Sequence, residues 1–183
     1  MRIAKTIGAF FGTALLAVSS FGASSPSEVS ADLGAKVRHA INGLAYYGVF
    51  DEIGYNVNDG VVTLTGEVRT YPVHNSAISS VRNIPGVTRV VDNIEVLPLS
   101  PYDDNLRVRA YNAIFAYPAL SRYAINSRPP IRILVKNGNI TLSGVVNREL
   151  DRELIYNRVN GVAGAFSVTN NLRLDSDSDG PAS

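Results

Sequence analysis

The sequence predicts an α+β protein built from two tandem copies of an α-β-β-α-β unit. The main observation is a duplicated segment, because residues 55–68 (YNVNDGVVTLTGEV) recur 78 positions later as residues 133–146 (ILVKNGNITLSGVV). In both copies the spacing of apolar residues changes between a period of two and a helical period. Glycine and proline stand at matching places in the two copies, where they predict turns and helix ends.

The first 23 residues predict a secretory signal peptide. A basic start is followed by an uncharged apolar run from Thr6 to Val18 and then by small residues. This run is shorter than the roughly 20 apolar residues that span a bilayer, so we expect cleavage, with an uncleaved anchor as the alternative. The chain has no cysteine. We therefore expect a periplasmic or secreted protein that is not a lipoprotein and has no disulfide or thiol chemistry.

The first unit is predicted over residues 32–98. Asp32 is expected to cap a helix that runs to about Tyr46 and that Gly48 ends. The duplicated segment follows as a β-hairpin, because an Asp-Gly or Asn-Gly dipeptide between alternating strands is typical of a type I′ turn. The rest of the unit is a helix from about Val73 to Asn83 and a strand from Val87 to Leu97, with a possible bulge near Asp92.

The second unit is predicted over residues 102–174 on the same plan. Asp103 or Asp104 is expected to cap its first helix, which extends to about Ala116. Residues 121–130 are an addition, and their polar and proline content predicts a surface loop. The unit ends with the second hairpin, a helix from about Arg148 to Val159 and a strand from Ala165 to Leu174.

Beyond the hairpin the 78-residue offset continues without a gap. Residues 84–87 (IPGV) align with residues 162–165 (VAGA), and residues 90–94 (VVDNI) align with residues 168–172 (VTNNL). With the turn dipeptide and the Val/Ile-Thr-Leu-x-Gly-x-Val strand, this pattern resembles the BON domain (bacterial OsmY and nodulation) over both units. Ala163, Ala165 and the added segment depart from that pattern.

The resemblance implies two helices packed on one face of a three-stranded mixed sheet in each unit. It also implies a periplasmic or envelope setting and no known catalysis. Some members of the family bind anionic phospholipid, so the same activity is an expectation for this chain.

Basic residues are concentrated in the second unit. It has ten basic and five acidic residues, a balance of +5, whereas the first unit has five basic and seven acidic residues, a balance of −2. We expect a basic surface with aromatic residues that can contact anionic headgroups, although an exposed helix face of paired charges is the alternative. The candidate lipid-binding residues are Arg122, Arg128, Arg132, Lys136, Arg148, Arg152, Tyr156 and Arg158, with Tyr123 nearby.

Other polar and glycine positions are expected to be structural. The turn glycines Gly60 and Gly138 belong to the hairpins, and Gly66 and Gly144 are expected to bend the central strand rather than to admit a ligand. Asn93 and Asn171 are expected to form side-chain hydrogen bonds to a neighbouring turn.

Metal binding is not expected. The two histidines, His39 and His74, have no ligand partners at metal-binding spacing, and His74 is expected to be solvated. Residues 175–180 (DSDSDG) resemble the first half of a calcium loop, but the bidentate acid that should follow is missing. We therefore expect residues 175–183 to form a disordered acidic tail.

No catalytic motif appears, so we expect no enzyme activity, no cofactor and no small-molecule substrate. Without residues 1–22 the chain has 15 basic and 16 acidic residues, a balance of −1 that does not favour nucleic acid binding. The leading hypothesis is a non-catalytic envelope protein that binds anionic phospholipid, mainly through its second unit. The alternative is a periplasmic module for protein interaction or for protection during osmotic or envelope stress.

Overall fold

The protein forms two α-β-β-α-β units in a computed structural model that describes residues 26–125 and 130–176. The helices are α1 (Pro26–Asn42), α2 (Tyr71–Arg82), α3 (Pro101–Phe115) and α4 (Glu149–Asn160). The strands are β1 (Glu52–Asn58), β2 (Val61–Val68), β3 (Arg89–Val96), β4 (Ile131–Lys136), β5 (Asn139–Val146) and β6 (Ser167–Leu174). The predicted α+β class and the repeated unit are confirmed.

Each unit has a mixed three-stranded sheet with the second strand of its hairpin in the centre. β2 pairs antiparallel with β1 and parallel with β3, and β5 pairs with β4 and β6 in the same way. A parallel pair needs a crossover connection, which α2 and α4 provide. Alternate strand residues then pack against the helices. The buried residues of the first core include Val37, Ile41, Val62, Leu64, Val68, Val73, Ala77 and Val81, and those of the second include Leu106, Ile114, Ile133, Ile140, Leu142, Ile155 and Val159.

Both hairpins have the type I′ turn that the sequence predicts. The φ angles are 47° and 76° at Asp59 and Gly60, and 52° and 76° at Asn137 and Gly138. A positive φ at both central residues defines this turn. In the second hairpin the buried carboxylate of Asp103 on α3 accepts hydrogen bonds from the amides of Asn137 and Gly138 at 2.9 and 2.8 Å, so α3 holds the turn in place.

The central strands need glycine because another backbone segment lies against them. Gly66 and Gly144 have φ angles of 114° and 111°. A Cβ atom at Gly66 would lie 2.2 Å from the carbonyl oxygen of Glu52, and one at Gly144 would lie 1.9 Å from that of Pro130. The close neighbour is the first strand of the same hairpin or the residue before it, rather than a helix or a ligand.

The predicted start of the first helix was wrong in each unit. α1 begins at Pro26, so Asp32 lies inside the helix, where it pairs with Lys36 at 2.6 Å, and the helix ends at Asn42 rather than at about Tyr46. In α3 the capping residue is Ser100, whose hydroxyl accepts a hydrogen bond from the amide of Asp103. Proline follows Ser100 directly, and proline is favoured at the first helical position.

The third strands also differ from the prediction. β3 pairs with β2 in continuous register, so it has no bulge near Asp92. The hydrogen-bonding side chains are Asp92 and Asn170, which accept from amides two residues ahead at 3.1 and 3.2 Å, whereas Asn93 and Asn171 are exposed. His74 is not simply solvated, because its ring lies 3.0 Å from the carboxylate of Asp92 and its side chain is only 15% exposed.

The start of the added segment is helical rather than a surface loop. Residues Ser121–Ala124 form a short 3₁₀ helix, and Tyr123 within it is buried. The hydroxyl of Tyr123 forms hydrogen bonds with the carboxylate of Asp151 and with the amide of Asn147. Arg128, the predicted signal peptide and residues 177–183 of the predicted tail lie outside the described residues.

The two units contact each other through the loop between α1 and β1. The carbonyl oxygen of Val49 in this loop accepts a hydrogen bond from the amide of Ile133 on β4 at 2.8 Å. The Val49 side chain is buried in the core of the second unit. The loop therefore covers the outer edge of β4, an edge that would otherwise have unpaired backbone groups.

A second contact joins the faces of the two sheets that are opposite their helices. Glu52, Glu67 and Glu95 are register neighbours and form a row across the first sheet. Lys136 on β4 pairs with Glu95 at 2.6 Å and lies 3.7 Å from Glu67, and the hydroxyl of Ser143 on β5 donates to Glu52 at 2.7 Å. The acidic first unit and the basic second unit thus use part of their opposite charge to bind each other.

Candidate functional site

The buried carboxylate of Asp151 organises one end of the second unit. It lies in the first turn of α4 and is only 3% exposed. It accepts hydrogen bonds from Arg122 and from the hydroxyl of Tyr123, the latter at 2.7 Å, and Arg148 lies 3.4 Å away. The Tyr123 hydroxyl in turn accepts from the amide of Asn147 at 3.0 Å. This network ties the added segment to the start of α4.

The hydrogen bonds of this network shift the pKa values of Asp151 and Arg122. Burial raises the pKa of Asp151, but hydrogen bonds from Arg122 and Tyr123 outweigh burial and hold the pKa below its usual value. The hydrogen bond to Asp151 raises the pKa of Arg122. Asp151 is therefore ionised at neutral pH and fixes the side chains that surround it.

Two exposed apolar residues are close in sequence to these arginines. Leu150 lies between Arg148 and Arg152 in sequence and is 72% exposed, and Ile125, which follows the 3₁₀ helix, is 81% exposed. The side chain of Arg148 is 63% exposed, and that of Arg152 pairs with Glu149 at 2.5 Å. We call Arg122, Ile125, Arg148, Leu150 and Arg152 the basic–apolar patch. Exposed apolar groups with adjacent positive charge can contact a surface that is apolar within and anionic outside.

Two of the predicted lipid-binding residues lie between the units instead. Lys136 pairs with the glutamates of the first sheet, and the guanidinium of Arg132 donates to the carbonyl oxygen of Gly48 at 3.0 Å. Arg132 also lies 4.9 Å from the centre of the Tyr47 ring. Both residues thus contact the first unit, and the charge of Lys136 is already partly neutralised by the glutamates.

The remaining predicted residues lie on the later part of α4. Arg158 donates to the carbonyl oxygen of Ala113 near the end of α3, and its guanidinium lies 4.2 Å from the centre of the Tyr117 ring. Tyr156 is half-buried. Arg158 therefore holds α3 and α4 together, which leaves less of its charge available to a ligand.

The sequence interpretation missed Asp151, although a signal for it was present. Asp151, Ile155 and Val159 are spaced by four residues and are the buried residues of α4. An acid that continues the apolar face of a helix by this spacing must be buried, and a buried acid needs donors. Arg122 and Tyr123 in the added segment supply them.

The chain matches the family model described as BON domain over residues 31–98 and 119–176, more than half of its length. The chain belongs to the BON domain family. The second match begins after α3, although α3 takes the place in the second unit that α1 takes in the first. The BON family consists of envelope proteins and is generally non-catalytic. No curated protein matches this chain.

Two solved structures of CdsD, a structural protein of the type III secretion system of Chlamydia trachomatis, are similar to this BON protein. The structure of the CdsD C-terminal domain has 17% sequence identity and a TM-score of 0.31, with coverage of 80% of this chain and 66% of that chain. The second has 16% identity and a TM-score of 0.28, with coverage of 80% and 95%.

No helix among residues 26–125 and 130–176 is long and apolar enough to cross a membrane. Within the same residues, no cluster of three or more His, Asp or Glu side chains is arranged to hold a metal ion.

Proposed function

We propose that this protein is a non-catalytic envelope protein whose second BON unit binds the anionic headgroups of membrane phospholipid. The observation that supports this function best is the exposure of Leu150 and Ile125, which are close in sequence to the arginines of the basic–apolar patch. Apolar side chains can enter the headgroup layer while arginines remain at the phosphates. The envelope setting of the family agrees with such a partner.

The expected binding is weak and reversible. Each basic residue near an anionic membrane contributes about 1 kcal/mol. Full burial of a leucine or isoleucine side chain contributes about 1.5–3 kcal/mol more. Arg148 should contribute most of the charge, because its side chain is 63% exposed and its contact with Asp151 is long, at 3.4 Å.

Co-sedimentation with liposomes tests the proposal. We expect the protein to sediment with vesicles of phosphatidylcholine and phosphatidylglycerol, and to remain in solution with phosphatidylcholine alone. The double variant Arg148→Gln/Leu150→Ser should lose most of this binding. A matched control is Arg109→Gln/Val108→Ser on α3, since Arg109 is exposed and Val108 is 57% exposed. Equal binding to both vesicle types, or equal loss in both variants, would contradict the proposal.

An exposed aromatic pair favours a second candidate function, a protein-interaction module. Phe166 is 74% exposed and Tyr102 is 44% exposed, and their ring centres are 5.8 Å apart. Exposed aromatic residues are enriched in the energetic centres of protein interfaces. This function predicts a stoichiometric protein partner from an envelope extract that the wild type retains in detergent and that Phe166→Ser loses. Capture that is unchanged in Phe166→Ser would exclude this surface.

A further inference from the structure

A cavity of about 520 Å³ lies in the first unit, between the loop that follows α1 and the start of α2. Its walls include Tyr46, Phe50, Asp51, Arg69, Thr70 and Pro72. Small-molecule sites occupy roughly 300–1,000 Å³ and combine mainly apolar or aromatic walls with a few polar groups. The size and the lining of this cavity both meet that description.

Of the two charged residues that line the cavity, Asp51 is occupied by hydrogen bonds within the protein and Arg69 is positively charged. Asp51 is 4% exposed, and its two carboxylate oxygens accept hydrogen bonds from the backbone amides of Gly48 at 2.9 Å and Arg69 at 2.7 Å. Both oxygens of the Asp51 carboxylate are therefore engaged by the backbone of the protein rather than offered to a ligand. The guanidinium of Arg69 lies 5.7 Å from the centre of the Phe50 ring and, within the part of the chain that the structure describes, has no acidic partner. A ligand with one negative group would complete this arrangement.

Tyr46 at the cavity has an unusual backbone. Its φ angle is 64°, in the left-handed region that bulky residues rarely adopt, and its side chain is 90% exposed. Burial of the ring does not offset this backbone strain, because the side chain of Tyr46 is almost fully exposed. Strained residues that persist in this way cluster at binding sites. Here the backbone of Tyr46 presents an aromatic ring at the cavity.

We propose that this cavity binds a small amphiphile with an apolar body and a single anionic group, such as a medium-chain fatty acid. The anionic group contacts Arg69, and the apolar body lies against Tyr46 and Phe50. One unpaired cation matches one anionic group, and aromatic walls match an apolar body. The inference is independent of the proposed membrane function, which rests on the second unit.

The loop that follows α1 both lines the cavity and contacts the second unit. Tyr46 and Phe50 line the cavity, and Phe50 also packs against the second unit, with its ring 6.1 Å from that of Tyr111. Between them, Tyr47 lies against Arg132 of the second unit, and Val49 is buried in the core of that unit. A ligand in the cavity therefore restrains the segment that joins the two units. We expect ligand binding to raise the unfolding temperature of the whole chain as the ligand concentration increases.

Calorimetric titration of the full chain with decanoate and with decanol, each below its aggregation concentration, tests the inference. Decanoate should bind more tightly than decanol, which has the same chain and no charge. Arg69→Gln should weaken decanoate binding about fivefold, the size expected for one exposed ion pair, and leave decanol binding unchanged. The matched control is Arg82→Gln, which removes the same charge at the other end of α2.

A second variant examines the aromatic wall. Tyr46→Gly should weaken both ligands without loss of folding, because glycine adopts a positive φ without strain and the tyrosine ring is exposed. Arg148→Gln/Leu150→Ser should bind decanoate as the wild type does, which separates this site from the membrane patch. The inference is overturned if neither ligand binds, if decanol binds as tightly as decanoate, or if Arg82→Gln has the effect expected of Arg69→Gln.

Discussion

Replacement of Asp151 tests the network that positions the basic–apolar patch. The carboxylate is buried and accepts hydrogen bonds from the charged side chain of Arg122 and from Tyr123. A hydrogen bond to a charged group contributes about 1.5–3 kcal/mol, and a buried hydroxyl left without its acceptor costs about 1–3 kcal/mol. We expect Asp151→Ala to lower the free energy of unfolding by about 3–4 kcal/mol, within the range for a broken buried ion pair.

The conservative variant separates charge from shape. Asp151→Asn keeps an acceptor oxygen for Tyr123 and loses only the negative charge, so we expect a smaller loss of about 1–2 kcal/mol. Urea unfolding with linear extrapolation measures both changes. Glu153→Gln on the same helix is the control, because Glu153 is exposed and its replacement should leave stability unchanged.

The same carboxylate gives the protein a defined pH dependence. The pKa of Asp151 in the folded protein lies below its usual value, because the hydrogen bonds from Arg122 and Tyr123 outweigh the effect of burial. Its stabilisation is therefore fully present above the pKa of the unfolded chain, near 4, and is lost as the pH falls through the lower folded pKa. The difference in stability between wild type and Asp151→Asn should shrink below about pH 4. Equal stability of the two proteins at pH 7, with parallel curves at low pH, would refute this account of the network.

Three further variants examine other parts of the fold. Gly144→Ala should prevent stable folding of the second unit, because its Cβ atom would lie 1.9 Å from a carbonyl oxygen, whereas Gly161→Ala should fold normally; circular dichroism distinguishes them. Lys136→Ala should lower stability by about 0.5–1 kcal/mol, less at high salt, because its ion pair with Glu95 is partly exposed. Asp103→Ala should cost about 2–4 kcal/mol in thermal unfolding, because two turn amides lose a buried charged acceptor. If Asp103→Ala is as stable as the wild type, water must accept the hydrogen bonds of the two turn amides in place of the carboxylate.

Features encoded within a short stretch were predicted well. Residues 55–68 form a β-hairpin as expected, and both hairpin turns have the predicted geometry, because a turn dipeptide and an alternating pattern act over a few residues. Helix starts were predicted less well. Asp32 has the chemistry of a capping residue, but α1 continues past it to Pro26, since a cap residue inside a helix is only slightly unfavourable.

The candidate site was predicted only in part. The sequence located the basic residues in the second unit, where Arg122 and Arg148 both contact Asp151 and Arg152 pairs with Glu149 on the same helix. The sequence did not indicate Leu150 or Ile125, because the identity of an apolar residue does not show whether its side chain is exposed or buried. Charge composition alone also could not separate the arginines of the patch from Lys136, which binds the first unit.

The sequence by itself determined the repeated unit, its hairpins and the order of its elements, because these follow from local spacing, turn chemistry and an exact internal offset. The tertiary structure decided what each charged residue does. Lys136 meets Glu95 across 41 positions of sequence, and Asp151 meets Tyr123 across 28. The Arg69 cavity likewise forms only when the loop after α1 folds over the start of α2. Such contacts depend on how elements pack, and packing over long sequence separations leaves no periodic signal in the chain.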